Sequence, residues 1–124
     1  MTKEEILEMK AGRELNIGVA EEVMGCKFAQ DEFFGDMQGC IDSQGNSVWG
    51  VLEAYSEDRS IAQQVVDKLK NSYNVRVEFN YYTENWEAEF SELQTSLEFG
   101  TVSALDEPEA ICKAALLAIL EKGG

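Results

Sequence analysis

The sequence predicts an α+β fold: a single domain whose helices pack against an antiparallel sheet of three to four strands, in an α/β/α sandwich-like arrangement. Two patterns indicate this class. Between residues 75 and 90, apolar and polar residues alternate with the period of two that is typical of half-buried strands. Residues 106–120 are apolar on nearly every side of a helix. The chain has 124 residues, of which 44% are hydrophobic, so we expect residues 1–124 to share one core.

The N-terminal part of the chain predicts two helices. Thr2 is a cap for a short helix over residues 2–10, and Glu5 follows three positions later, as in a capping box. Gly12 interrupts the pattern. The second helix covers residues 13–24, with apolar residues recurring every four positions, and Gly25 ends it.

Residues 26–50 are rich in glycine, aspartate and asparagine, which indicates turns between short strands at residues 40–41 and 48–52. Four large apolar residues lie within this stretch, and two interpretations of them remain open. They either cover the edge of the core or line a ligand groove, since aromatic residues in loops are common in both settings. These residues are Phe33, Phe34, Met37 and Trp49.

The three cysteines, Cys26, Cys40 and Cys112, are an odd number at wide and unrelated spacings. That pattern predicts neither a disulfide framework nor a zinc site. Cys112 lies within the apolar C-terminal helix, where a cysteine acts as a small core residue. We therefore expect a reducing, cytoplasmic location.

A helix and a three-stranded meander follow. Ser56 is the expected cap of a helix that ends at Lys70, and its apolar residues form one stripe. A hairpin over residues 75–90 is then followed by a third strand through Leu97 and Phe99 toward Ala104. We expect helices to cover the apolar face of this sheet and the other face to be acidic.

The C-terminal helix begins at Asp106, a suitable cap, and Pro108 fits its first turn. Beyond that turn its apolar residues surround the axis. Leu116, Leu117 and Leu120 exceed what one sheet face covers, so we expect a homo-oligomer that associates through this helix.

The net charge of −14 comes from 24 acidic and 10 basic residues. Such a charge repels phosphate groups, so we expect no direct nucleic-acid binding and no attachment to anionic membranes. The sequence also has no apolar stretch of 18 residues and no N-terminal signal sequence. Two interpretations of the acidity remain: it promotes solubility, or it forms a surface that docks on a basic partner.

The sequence lacks the residues on which most catalytic sites depend. It contains no histidine, which removes the Ser–His and Cys–His nucleophile pairs and the commonest transition-metal ligand. It also has no glycine-rich phosphate-binding motif. We therefore predict a non-enzymatic protein without a cofactor. A hydrolase that uses paired carboxylates such as Glu87 and Glu89, with or without a metal ion, is the least favoured alternative.

Two candidate binding sites follow from the strand pattern. The first is the acidic face of the predicted sheet, with a basic protein surface as its partner. It comprises Glu78, Glu87, Glu89 and Glu98, with Arg76 as the one basic residue. The second is a groove near Trp49, Tyr82 and Arg76, or between subunits, that sequesters a small molecule such as a nucleotide signal. The same alternation places Tyr81 in the core and Tyr82 outside.

The chain opens with MTKEEILEMKAGRELNIGVAEEVMG and closes with EPEAICKAALLAIL. These two stretches resemble the two ends of the phage ABA-sandwich domain family, small proteins encoded by phages and prophages. AYSEDRSIAQQVVDKL is similar to its middle helix, which follows a Tyr-Ser pair, here Tyr55 and Ser56. Trp86-Glu87-Ala88-Glu89-Phe90 matches its Trp-x-x-x-Phe strand. The resemblance implies α/β/α layering and expression in an infected bacterial cell, where the partner of the acidic face is expected to be a host protein. The family has no assigned reaction, so the resemblance supplies no catalytic residues.

Overall fold

The computed structural model describes residues 1–93 and 101–123, with side chains described up to residue 121. Its elements alternate between helices and short antiparallel strands. In chain order they are α1 (Lys3–Glu8), α2 (Arg13–Gly18) continuing as a π-helical turn (Val19–Val23), β1 (Lys27–Asp31), β2 (Gly35–Ile41), β3 (Ser47–Val51), α3 (Arg59–Leu69), β4 (Tyr73–Asn80), β5 (Asn85–Glu92), β6 (Val102–Ala104) and α4 (Glu107–Gly123).

The strands form two three-stranded antiparallel sheets, ordered β1-β2-β3 and β4-β5-β6. The predicted α+β class with antiparallel strands is confirmed. The second sheet contains the predicted meander, although residues 94–100, which include the expected start of its third strand, lie outside the described part. The first sheet is larger than the short strands predicted at residues 40–41 and 48–52, because its outer strands β1 and β3 are largely exposed and so lack clean alternation.

Helix α4 is the centre of the core. It contacts β5 and β6 on one side and α1, α2, α3 and the π-helical turn on the others. Residues 110–118 are consequently all buried, and Leu116 and Leu117 are each only 2% exposed. One chain therefore already covers the apolar surplus from which we inferred association through this helix. Oligomerisation itself stays a prediction.

The segment before α3 differs from the expected cap. Asp58, not Ser56, caps the helix, since its side chain accepts a hydrogen bond from the N–H of Ile61 at 3.1 Å. Ser56 is fully buried, and its N–H and hydroxyl donate to Oδ1 of Asn16 at 2.8 and 2.6 Å. Its hydroxyl also accepts from the N–H of Gly12 at 2.9 Å. This polar cluster fixes the segment before α3 to the start of α2.

A disulfide joins Cys26, just after the π-helical turn, to Cys40 in the central strand of the first sheet. The prediction that these cysteines are unpaired was wrong. Their Cα atoms are 4.4 Å apart because the chain folds back, and a spacing of 14 residues does not reveal that approach. Cys112 is free and buried, as predicted, and burial raises the pKa of its thiol to about 12. Within residues 1–93 and 101–123, no helix has the length and apolarity needed to cross a membrane.

Candidate functional site

The outer face of the second sheet carries most of the predicted site residues. The β4–β5 register places Arg76 directly opposite Glu89, and Glu78 directly opposite Glu87. The neighbouring residues on the inner face, Ala88 and Phe90, are buried in the core. The strand period of two therefore directs the polar set away from α4, as the sequence predicted. We call Arg76, Glu78, Glu87 and Glu89 the acidic face.

Arg76 organises this acidic face. Its guanidinium donates to Glu89 Oε2 at 3.0 Å and also bonds Glu78, while Glu87 Oε1 lies 4.0 Å away. The Thr101 hydroxyl donates to Glu89 Oε2 at 2.8 Å. The hydroxyl and the guanidinium together lower the pKa of Glu89. The arrangement is a fixed network with an arginine at its centre.

The carboxylates differ in how far water reaches them. The side chain of Glu78 is 57% exposed, whereas those of Glu87 and Glu89 are 22% and 12% exposed. Glu87 also accepts a hydrogen bond from the side-chain amide of Asn80 at 3.1 Å. Glu78 is therefore the carboxylate that an approaching partner reaches first. Glu98, the fourth predicted member, lies outside the described residues.

The residues of the predicted groove lie in three different settings. Trp49 belongs to β3 of the first sheet, where its ring covers Gly39. Tyr82 is fully exposed at the turn between β4 and β5, and Arg76 is held within the acidic face. Tyr81 is 84% exposed, so its predicted core position was wrong. The turn begins at residue 81, where strand alternation no longer applies.

Two cavities lie elsewhere on the described surface. One, of about 490 Å³, is lined by residues 8–14. The other, of about 310 Å³, lies beside β3 and is lined by Gln38, Cys40, Val48, Gly50, Val51, Leu52 and Glu53. Neither is lined by Trp49, Tyr82 or Arg76. The cavity beside β3 has no basic side chain in its lining, so it offers no counter-charge to a phosphate.

All three arginines of the chain are engaged by carboxylates. Arg13 bonds Asp36 at 2.7 Å, and Arg59 bonds Glu107 at 2.7 Å while its guanidinium lies 5.3 Å from the centre of the Trp86 ring. Arg76 is the third. An anionic ligand would have to displace one of these pairs to gain an arginine. Within the described ranges, no three histidine, cysteine or acidic side chains are close enough to hold a metal ion.

The sequence analysis predicted a short strand at residues 48–52, which corresponds to β3, but it did not predict that this strand is exposed. All five of its residues are exposed, including Val48 at 54%, Trp49 at 50% and Val51 at 66%. The signal is visible in the sequence, because residues 43–52 contain no charged residue in a chain that is 27% charged. A contiguous group of apolar residues that remains at the surface is typical of an interaction site.

Two small antiparallel sheets packed with four helices, as seen in the described residues, define an α+β protein of sandwich type. A model of the phage ABA sandwich domain family matches residues 18–116, so this chain belongs to that family. A similar fold occurs in the 2.0 Å crystal structure of a phage protein from Bacillus cereus ATCC 14579. The two chains are 25% identical, with a TM-score of 0.64 over 89% of this chain and 92% of the other. A search of curated proteins found no match.

Proposed function

We propose that this phage protein acts by binding rather than by catalysis, and that its acidic face docks on a basic surface of a host protein and inhibits it. A protein of host defence is the class of target that we propose. The observation that supports the proposal is the Arg76 network, which gathers carboxylates on the outer face of the second sheet and leaves Glu78 57% exposed.

Fixed carboxylates favour docking for an entropic reason. A side chain that is already ordered loses less conformational freedom when a partner binds. Glu89 is held by both Thr101 and Arg76, which leaves Glu78 as the exposed member. The net charge of −14 also steers a basic partner toward the molecule and raises its association rate at low salt.

Neutral substitutions on the acidic face test this proposal. Glu78→Gln combined with Glu87→Gln removes two charges while preserving side-chain shape. The matched control, Glu21→Gln combined with Glu22→Gln, removes two charges from exposed positions on the π-helical turn. We expect affinity-purified host partners to be retained by the wild type and the control and lost by the face variant, with salt-sensitive affinity. Identical partners for all three proteins would contradict docking through this face.

The alternative function is sequestration of a small molecule such as a nucleotide signal, in a groove near Trp49, Tyr82 and Arg76 or between subunits. The exposed aromatic rings of Trp49 and Tyr82 support it, because such rings stack on bases. The engagement of all three arginines weighs against it. A thermal-shift screen with ATP, NAD and cyclic dinucleotides is the test. Stabilisation that is lost in Trp49→Ala or Tyr82→Ala supports sequestration, and no shift with any of these nucleotides contradicts it.

We place this activity in the cytoplasm of the bacterial host, in keeping with a phage-encoded protein. The disulfide between Cys26 and Cys40 makes this location testable, because thiol reductants keep most cytoplasmic cysteines reduced. Rapid alkylation of intact expressing cells, followed by mass spectrometry, reports the state of both cysteines. Labelled thiols at Cys26 and Cys40 support a cytoplasmic location, and a retained disulfide contradicts it.

A further inference from the structure

We propose that β3 pairs with β3 of a second copy of this chain, antiparallel about a two-fold axis at Trp49, to join two three-stranded sheets into one of six strands. The strand lies at the edge of the β1-β2-β3 sheet. All five of its residues, Ser47–Val51, are exposed. An exposed apolar strand at the edge of a sheet is a template for pairing with another strand.

The backbone of β3 presents hydrogen-bonding groups to this open edge. The N–H of Asp42 bonds the carbonyl of Asn46, and the N–H of Leu52 bonds the carbonyl of Asp36. Both pairs follow the β2–β3 register, in which paired residue numbers sum to 88. Because bonded and non-bonded pairs alternate in an antiparallel ladder, the even-numbered residues of β3 bond β2. The N–H and C=O groups of Ser47, Trp49 and Val51 therefore point outward.

A two-fold axis at Trp49 uses all of these outward groups. It pairs Trp49 with Trp49 of the second copy, and Ser47 with Val51 in both directions. Each of these pairs can exchange two backbone hydrogen bonds, since each joins residues whose groups point outward. Isologous pairing of this kind closes at two subunits.

The side chains of β3 also complement one another in this register. Val48 of each copy lies directly opposite Gly50 of the other, on the same face of the joined sheet. A Cβ built on Gly50 would meet no atom within 4 Å, so the space above this glycine is open. The cavity of about 310 Å³ lined by Gly50, Cys40 and Leu52 lies at this position. It receives the Val48 side chain of the second copy.

Charge favours a second copy over a basic partner at this strand. Residues 43–52 carry no charge, so β3 offers nothing for a basic partner to pair with. The other outer strand of the sheet, β1, begins at Lys27 and ends at Asp31, and charges at an edge discourage pairing. Strand β3 is thus a neutral strand on a chain of net charge −14, and pairing along it places no charged residue of β3 against another.

Sedimentation velocity between about 10 µM and about 1 mM tests the pairing. We expect the mass to rise from 13.8 kDa toward twice that value, with a dissociation constant in the micromolar range because the interface is small. Added NaCl is expected to strengthen association, since it screens the repulsion between two acidic copies. A wild-type protein that stays monomeric at about 1 mM would overturn the proposal.

Two variants and a control locate the interface. Val51→Pro removes an outward N–H without touching the β2–β3 ladder, and should weaken dimerisation about tenfold or more. Val48→Lys places a charge against Gly50 of the second copy and should also weaken it. Leu105→Lys alters a residue that is 77% exposed outside both sheets and should have no effect. A dimer unaffected by both β3 variants would place the interface elsewhere, including at α4.

Amide exchange gives a readout that does not depend on the variants. In the monomer, the N–H groups of Val48 and Gly50 bond β2, whereas those of Trp49 and Val51 face water. Raising the protein concentration should therefore protect the amides of Trp49 and Val51 while those of Val48 and Gly50 stay protected throughout. Trp49 and Val51 amides that exchange equally fast at low and high concentration would contradict pairing at this edge.

Discussion

Gly39 lies directly opposite Trp49 in the β2–β3 ladder, and the tryptophan ring covers the glycine. A Cβ at residue 39 would lie 2.5 Å from Cε2 of Trp49. We predict that Gly39→Ala forces this half-exposed ring outward and destabilises the fold by about 1 kcal/mol. Tryptophan fluorescence, measured in a Trp86→Phe background, should shift to the red. Gly50→Ala, measured at a protein concentration low enough to keep the chain monomeric, is the control, because a Cβ there would meet no atom within 4 Å and its φ is not positive. An unchanged emission spectrum would mean that the ring does not rest on Gly39.

Cys112 gives a second prediction at the level of single residues. Its thiol is buried and its pKa is raised to about 12, so almost no thiolate forms near neutral pH. Titration with a thiol reagent should detect no reactive cysteine at pH 8 in the folded protein after purification and oxidation in air. One should react after unfolding without reductant and three after unfolding with reductant, because Cys26 and Cys40 are joined. Three reactive thiols without reductant would contradict the disulfide.

At the level of elements, the junction between α2 and the segment before α3 depends on Asn16. This residue is 5% exposed, accepts from the N–H and hydroxyl of Ser56, and donates to Glu57 at 3.0 Å. We predict that Asn16→Ala lowers the free energy of unfolding by about 2 kcal/mol, because it leaves the buried N–H of Ser56 without that acceptor. Urea unfolding measures the loss. Asn71→Ala, at an exposed turn, should change stability by less than about 0.5 kcal/mol. Equal losses of stability from both substitutions would contradict a structural role for the hydrogen bonds between Asn16 and Ser56.

The acidic face predicts how stability depends on pH. The pKa of Glu89 is lowered by Thr101 and Arg76, from an ordinary value of 4.5. A carboxylate with a lowered pKa in the folded state stabilises the protein above its unfolded pKa, and this stabilisation is lost as the pH falls through the folded pKa. Stability should therefore fall below about pH 4.5. Glu89→Gln should be less stable than wild type at neutral pH and show a smaller fall, whereas Glu22→Gln should keep the wild-type profile. Parallel profiles for wild type and Glu89→Gln would contradict this role.

At the level of the whole molecule, the parts that the sequence predicted are those with a strong internal period. The β4–β5 hairpin and α4 follow from alternation and from continuous apolarity, and both are present. The first sheet could not be predicted in full, because its outer strands β1 and β3 lack a buried face to impose alternation. The disulfide and the Asn16–Ser56 cluster depend on chain segments that meet only in the folded protein. The acidic face was predicted by residue type, but the position of Arg76 opposite Glu89 needed the register.

Because the chain is strongly acidic, salt is expected to have two opposing effects on its stability. Acidic residues exceed basic ones by 14, so their mutual repulsion destabilises the compact state. Salt also weakens surface ion pairs such as Arg13–Asp36 and Arg59–Glu107, but each such pair contributes only about 0–1 kcal/mol. Repulsion among the excess carboxylates should prevail. We predict that raising NaCl from about 0.01 M to about 0.3 M, which shortens the screening length several-fold, increases the free energy of unfolding by roughly 1 kcal/mol and Tm by about 4 °C.

The design of this measurement must separate folding from association, since salt is also expected to favour pairing through β3. Thermal unfolding of Val51→Pro at low protein concentration removes the contribution of the dimer. If Tm rises with NaCl in this variant as in the wild type, the effect belongs to the single chain. If Tm falls with NaCl, the surface ion pairs stabilise the fold by more than the repulsion among carboxylates destabilises it. A rise confined to the wild type would assign the whole salt effect to pairing of two copies.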